Sequence, residues 1–358
     1  MNIAIIGAGN GGQALAAYLS MQGHHIFLYD KDVDKIKELA QLKSITLEGK
    51  ICGSARIHCI SDNIATSVSN CELILVTTVA NAHAFVAKEV APFLKDEQVI
   101  ILNPGRTCGA LVFKQALKAA GCNKKIYIAE AQTLIFACRI IENGRVNVIG
   151  VKDNVLLAAL PAKNTHYVLD FVSHIFPCFT PAPNVLATSL ENIGAIFHPC
   201  VLLFNAATIE RQTDFYFYRD MTPRIAAFIE QFDAERLAVG QKYGYKLLGV
   251  SEWISYAYQG TKGETLCEKM QNNPAYYDIK SPSSIYTRQL TEDIPTGVIP
   301  IMELGKAAGI ETPLLQSMVT MVEALLGQDL RSNGRTLTNL GLEKMTKDEI
   351  IDYVSNEA

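Results

Sequence analysis

Short, almost continuously apolar runs recur along the first part of the chain: Asn2–Ile6, His25–Tyr29, Leu73–Thr77, Val99–Leu102 and Ile126–Ala129. Such runs lack the strict polar alternation of a half-buried strand and predict strands covered on both faces. Segments of helical pattern separate them, Gln13–Met21 first, so the order predicts a parallel sheet with helices on both sides. Between the second and third runs, Ser44–Gly49 and Ala55–Ile60 alternate around glycines and predict an inserted antiparallel hairpin. From about Val185 the strand pattern thins, and Pro199–Arg211, Pro223–Tyr243, Gly297–Ala308 and Pro313–Leu326 read as helices. The expected division is a sheet domain over 1–184 and a mostly α-helical domain over 185–358.

Composition narrows the class. The 358 residues can bury two cores, and 49% hydrophobic against 19% charged residues excludes a disordered chain. A net charge of -4 without a dense Lys/Arg block argues against nucleic acid as a partner. The nine cysteines form no Cys-x-x-Cys pair, which predicts reduced thiols and no metal site. No basic leader precedes Asn2–Ile6, and no uninterrupted apolar run reaches the roughly 20 residues of a membrane span. The expectation is a cytoplasmic protein without a membrane partner.

The first turn reads Gly7-Ala8-Gly9-Asn10-Gly11-Gly12. Gly7, Gly9 and Gly12 stand at the spacing of a dinucleotide fingerprint: a tight turn, a close approach to pyrophosphate, and close packing of helix on strand. The preceding strand and following helix supply the context that a glycine-rich loop alone would lack, which makes the first domain a Rossmann-type doubly wound sheet. Asp30 ends the second strand, where a carboxylate can accept from the ribose diol and repel a 2′-phosphate. That favours NAD, while Lys31 beside it leaves NADP open. Later strand ends carry Thr77, Asn103 and Gly105, positions at which ligands of open α/β sheets gather. With Asn10 and Gly11 these complete the expected cofactor-binding set; for Asn103-Pro104-Gly105, ordinary turn chemistry is an equal alternative.

The helical half holds two chemically loaded segments. His198 precedes Pro199 in an apolar setting; an imidazole there can be a proton carrier or a core histidine satisfied by one carbonyl. Arg288 lies shortly before Asp293. Arg288 could clamp a carboxylate, and Asp293 could orient a histidine or cap the helix expected from Gly297.

In the order of these segments, with Glu130-Ala131-Gln132-Thr133-Leu134 and Asn192–Pro199, the chain resembles the opine dehydrogenases, the octopine and nopaline dehydrogenase family, over nearly its full length. That resemblance implies an NAD(P)H-dependent condensation of an amino acid with an α-keto acid, usually pyruvate, through an imine. It implies His198 as the catalytic histidine, Asp293 as its partner and Arg288 as a substrate-binding arginine. Asn192, Arg106 and Arg139 join the substrate-side candidates. Six tyrosines of the helical half, Tyr216, Tyr218, Tyr256, Tyr258, Tyr276 and Tyr277, are expected mainly to pack or to lie at the surface, with some lining a side-chain site.

Two other readings use the same fold. A keto-acid or β-hydroxyacid reductase resembling ketopantoate reductase would yield an alcohol. A non-catalytic NAD(H)-binding protein would need the glycine turn but have no use for His198 and Asp293. Apolar helices in the second half are compatible with a homodimer.

Overall fold

The computed structural model describes residues 1–258 and 260–357. The chain divides into two compact units, Met1–Ser189 with Asp352–Ala358, and Leu190–Ile351. The division thus falls after Ser189 and not after Asn184, and the C-terminal segment returns to the first unit. Lys163 Nζ donates to Asn356 O at 2.5 Å there. A boundary read from a change of pattern has no means of registering such a return.

The first unit contains β1 (Asn2–Ile6), β2 (His25–Tyr29), β3 (Ser44–Gly49), β4 (Gly53–Arg56), β5 (Cys59–Ser61), β6 (Leu73–Val76), β7 (Val99–Leu102), β8 (Tyr127–Ala131), β9 (Phe136–Glu142), β10 (Arg145–Val151), β11 (Val155–Leu160) and β12 (Phe179–Pro181). Its main sheet runs β12-β11-β8-β7-β6-β1-β2-β5. The centre, from β2 through β8, is parallel as the apolar runs predict. The edge is not: β11 lies antiparallel to β8, so the sheet is mixed.

The expected hairpin forms as β3 and β4, but its second limb is shorter than Ala55–Ile60. The chain leaves β4 after Arg56, and β5 joins β2 as a parallel edge strand. The hairpin also recruits β9 and β10 into a second sheet, ordered β4-β3-β10-β9. This sheet packs on the helix Asn10–Met21, which explains why a polar residue, Gln13, is fully buried in that helix. Gln13 Nε2 donates to Ala8 O and Asn143 Oδ1, and its Oε1 accepts from Gly144 N–H. Each polar atom of the amide is paired, as burial requires.

The second unit is helical, with Gly194–Phe204, Pro223–Lys242, Val250–Ala257, Ile299–Ala307 and Pro313–Leu326 as its longer elements. Of the two places open to Pro199, the start of a helix or a break within one, the structure shows the second: it lies inside Gly194–Phe204, where it cannot donate to the Ala195 carbonyl. Ala206–Glu210 is a separate helix. The segment expected to be helical from Gly297 begins earlier, as a π-helical turn over Ile294–Val298. Val185–Phe204 is long and apolar enough to cross a membrane by composition, but 83% of its apolar window is buried and the helix breaks at Glu191–Ile193. Burial of that kind is the behaviour of a core helix.

Arg236 is the largest fully buried side chain. Its Nε donates to Asp233 Oδ1 at 2.6 Å, and its two terminal nitrogens donate to Leu190 O and Leu248 O. Asp233 Oδ2 accepts from Val250 N–H. Replacing Arg236 by Met leaves the buried Asp233 without its cation, a loss that costs about 3–5 kcal/mol. The expected outcome is a lower urea midpoint by far-UV circular dichroism; an unchanged midpoint would show that the pair does not stabilise the unit.

Candidate functional site

In the first unit β1, β6, β7 and β8 run parallel, so the loops after Ile6, Val76, Leu102 and Ala131 share one edge of the sheet. Gly7 turns there at φ +108°, in the region that favours glycine. A Cβ on Gly12 would run into the Gly7 carbonyl and come within 2.9 Å of Thr77 Oγ1. Thr77 donates to Ile6 O and Gly7 O, so its hydroxyl holds the turn. A Cβ on Gly9 would meet open space, whereas one on Gly11 would meet Leu134. The helix Asn10–Met21 has no side-chain cap, and an N-terminus left uncapped is the arrangement that receives a pyrophosphate.

Asp30 Oδ2 accepts from Ala8 N–H at 2.7 Å and from Lys35 Nζ at 3.1 Å, and Oδ1 accepts from Asp32 N–H. It therefore braces the glycine turn as well as standing at the end of β2. Lys35, which the sequence reading passed over, partly offsets its charge. Asn10 uses its side-chain oxygen on Ile140 N–H. Asn103 is fully buried, and neither amide atom finds a partner among the described residues; the buried Thr78 hydroxyl is likewise unpaired. Orphaned polar groups at strand ends beside a glycine turn fit a bound dinucleotide.

Gly105 lies against Glu130, where a Cβ would come within 2.7 Å of Oε2. Glu130, almost fully buried, accepts from Thr188 and Ser189 hydroxyls and from Ala110 N–H. Arg106 sits at φ 60°. Lys152 donates to Thr133 Oγ1 and Leu134 O, and burial, followed by the Arg106 guanidinium, pushes its ammonium down to about 8. Arg139 is exposed on β9 of the small sheet.

In the second unit His198 Nδ1 lies 2.5 Å from Asp293 Oδ2, and its Nε2 lies 3.0 Å from the Tyr218 hydroxyl. Asp293 is nearly fully buried and precedes the π-helical turn with no side-chain cap hydrogen bond. The short helix Arg288–Thr291 packs on the helix that carries His198. The Arg288 side chain itself is 63% exposed, with Nη1 3.5 Å from Glu292 Oε2. Asn192 is buried beside Gly297. The structure thus joins His198 to Asp293, leaves Arg288 at the surface against a carboxylate, and adds Tyr218, whose only signal in the sequence was its place among the tyrosines. Among the described residues no cluster of His, Cys, Asp and Glu could hold a metal ion.

The turn supports a direct test. Gly12→Val forces the helix start away from the Gly7 carbonyl, and NADH affinity by fluorescence titration is expected to fall at least about tenfold, or 1.4 kcal/mol. Retained affinity would detach the turn from nucleotide binding.

Residues 181–326 match the family model for the α-helical domain of NAD/NADP octopine/nopaline dehydrogenase, and residues 2–104 match that for NADP oxidoreductase coenzyme F420-dependent. The chain is 36% identical over 345 residues to the opine dehydrogenase of Arthrobacter sp. (strain 1C), covering 96% of each chain. The fold of octopine dehydrogenase solved with NADH and L-arginine superposes with a TM-score of 0.82 at 19% identity, over 98% of each chain. The same enzyme solved with NADH and pyruvate gives 0.79, again at 19% identity and over 98% of each. With sequence similarity along nearly its whole length, this chain belongs to the opine dehydrogenase family, NAD(P)-dependent oxidoreductases acting on CH–NH donors.

Proposed function

We propose that the protein condenses the amino group of an amino acid with an α-keto acid, pyruvate first among them, and reduces the resulting imine to a secondary-amine dicarboxylate. The observation that carries this reading is the Asp293–His198–Tyr218 chain, with 2.5 Å and 3.0 Å contacts on the two ring nitrogens. A carboxylate on Nδ1 fixes the tautomer and stabilises the imidazolium, leaving Nε2 to exchange protons.

The amine adds to the keto carbon, and the resulting hydroxyl must leave as water. His198 donates the proton that makes it a leaving group and, in the reverse direction, takes a proton from the attacking water. When bound, the nicotinamide supplies the hydride to the imine carbon. The balance is amino acid, keto acid, NADH and a proton giving the opine, NAD and water. Arg288 and Arg106 are the cations proposed for the two substrate carboxylates; Arg288 would exchange its Glu292 contact for one of them.

An acid at the end of β2 favours NAD in this reading, since a carboxylate beside the ribose would repel a 2′-phosphate. The cysteines of the chain are free thiols, which supports a reducing compartment and hence the cytoplasm. The alcohol-forming reductase reading loses its ground in the family membership.

NADH oxidation with pyruvate and a panel of amino acids tests the reaction: turnover should require the amine, and oxidation by the keto acid alone would refute it. His198→Ala is expected to lower kcat by about 10²-fold or more, with NADH binding retained. Wild-type kcat after that substitution would remove His198 from the chemistry. NADH should outperform NADPH, and Asp30→Ser should narrow the difference; equal use by the wild type would reject the role given to Asp30.

A further inference from the structure

Between β8 and β9 the chain crosses from the main sheet to the small one through Gln132–Ile135, a bend with no regular structure. Its Leu134 side chain lies against the second residue of the helix that follows the glycine turn: a Cβ on Gly11 would come within 2.9 Å of Leu134 Cδ2 and 3.0 Å of Cδ1. Two residues earlier the surroundings differ, since a Cβ on Gly9 would meet nothing within 4 Å. Leu134 therefore stands as a wall at one side of the opening that the turn leaves for a pyrophosphate.

One residue holds that bend. Lys152, which follows β10, donates its backbone N–H to Ile135 O, and its Nζ donates to Leu134 O at 2.8 Å and to Thr133 Oγ1 at 2.7 Å. Three consecutive residues of the bend are thus tied to a single lysine, two of them through its ammonium. Hydrogen bonds from a charged donor are about twice as strong as those from a neutral one. The charge itself is opposed: burial and then the Arg106 guanidinium disfavour the ammonium, whereas Cys138 on β9 favours it. Asp153, the next residue in the chain, is exposed.

We propose that Lys152 is a positioning residue of the dinucleotide site: by tying down Thr133, Leu134 and Ile135 it sets the Leu134 side chain against Gly11, and through Leu134 it governs how tightly the glycine turn holds its ligand. An apolar wall beside uncapped amides keeps water from competing for them, which strengthens their bonds to an anion. The same arrangement carries a dependence on pH. The Lys152 ammonium, held down to about 8, is intact below that pH and is lost as pH rises through it; the neutral amine keeps two hydrogens but makes only neutral bonds. A ligand whose binding needs the tightened bend favours the protonated form, so its affinity is full below pH 8 and falls above it. The groups that act on Lys152 stay fixed over this range: an arginine such as Arg106 does not titrate, and burial pushes the Cys138 thiol up to about 11.

The test is the dissociation constant of NADH, read by fluorescence titration between pH 7 and pH 9.5. The wild type is expected to weaken about tenfold across that range, whereas Lys152→Arg, which stays charged, keeps one affinity throughout. Lys152→Met should bind about tenfold more weakly at pH 7 and show no pH dependence. Because the lysine acts through Leu134, Lys152→Met combined with Leu134→Ala should lose no more than the worse single variant, in place of the product of the two losses. Wild-type affinity that is constant from pH 7 to pH 9.5, or that falls in parallel with Lys152→Arg, overturns the proposal. So do an unweakened Lys152→Met and a double variant whose losses multiply. The wild-type and Lys152→Arg titrations decide the matter on their own where Lys152→Met does not fold.

Discussion

The candidate chemistry of the second unit depends on one hydrogen bond, that between the buried Asp293 carboxylate and His198 Nδ1. A carboxylate taken out of water needs a compensating donor, and a histidine used for proton exchange needs one nitrogen committed. Each requirement answers the other. The local backbone reflects the bargain: Asp293 precedes a π-helical turn, a geometry common at functional positions. His198 stands one residue before a proline that interrupts the helix ladder. Irregular backbone here serves the side chains that it aims.

Two further buried charges organise the chain where the units meet in sequence. Glu130 gathers the Thr188 and Ser189 hydroxyls in the first unit, and Ser189 in turn accepts from Cys108 N–H. Arg236 takes the carbonyl of the very next residue, Leu190, in the second. The peptide joining the units is therefore flanked on each side by a buried ionisable group that makes three hydrogen bonds of its own. Charge-assisted bonds of this kind are stronger than neutral ones and more demanding in direction. They define the exit from one core and the entry to the other more sharply than apolar packing would.

How much of this was legible in the sequence followed from the range of each interaction. The central strands and the glycine turn were legible because their signals are local: apolar runs, fixed glycine spacing and an acid at the end of β2. The small second sheet was half legible. Its β3–β4 hairpin is local, but the partners β9 and β10 lie far along the chain, and pairing at that distance leaves no periodic mark. The same holds for His198 and Asp293, which are 95 positions apart. Neither segment could decide between structural and chemical roles by itself, and it was the family resemblance that joined them before geometry did. Arg139 lies exposed on β9 of the small sheet, a placement that nothing in its own segment marks.

Tyr218 shows the same limit from the other side. Nothing in its neighbourhood distinguishes it from Tyr216, two residues away and pointing to Arg219. The difference arises because Tyr216 pairs with Lys280 and the chain turns immediately after it, over residues 217–220, so Tyr216 and Tyr218 need a reference beyond their own segment to be sorted. That reference is Phe217 N–H on Ile279 O, a backbone bond that fixes the register and hence which tyrosine reaches the imidazole. Which residue of this segment meets the imidazole is thus decided by backbone pairing and the turn that follows rather than by residue type: Phe217 packs edge-on against the His198 ring at 6.0 Å while the Tyr218 hydroxyl meets its Nε2.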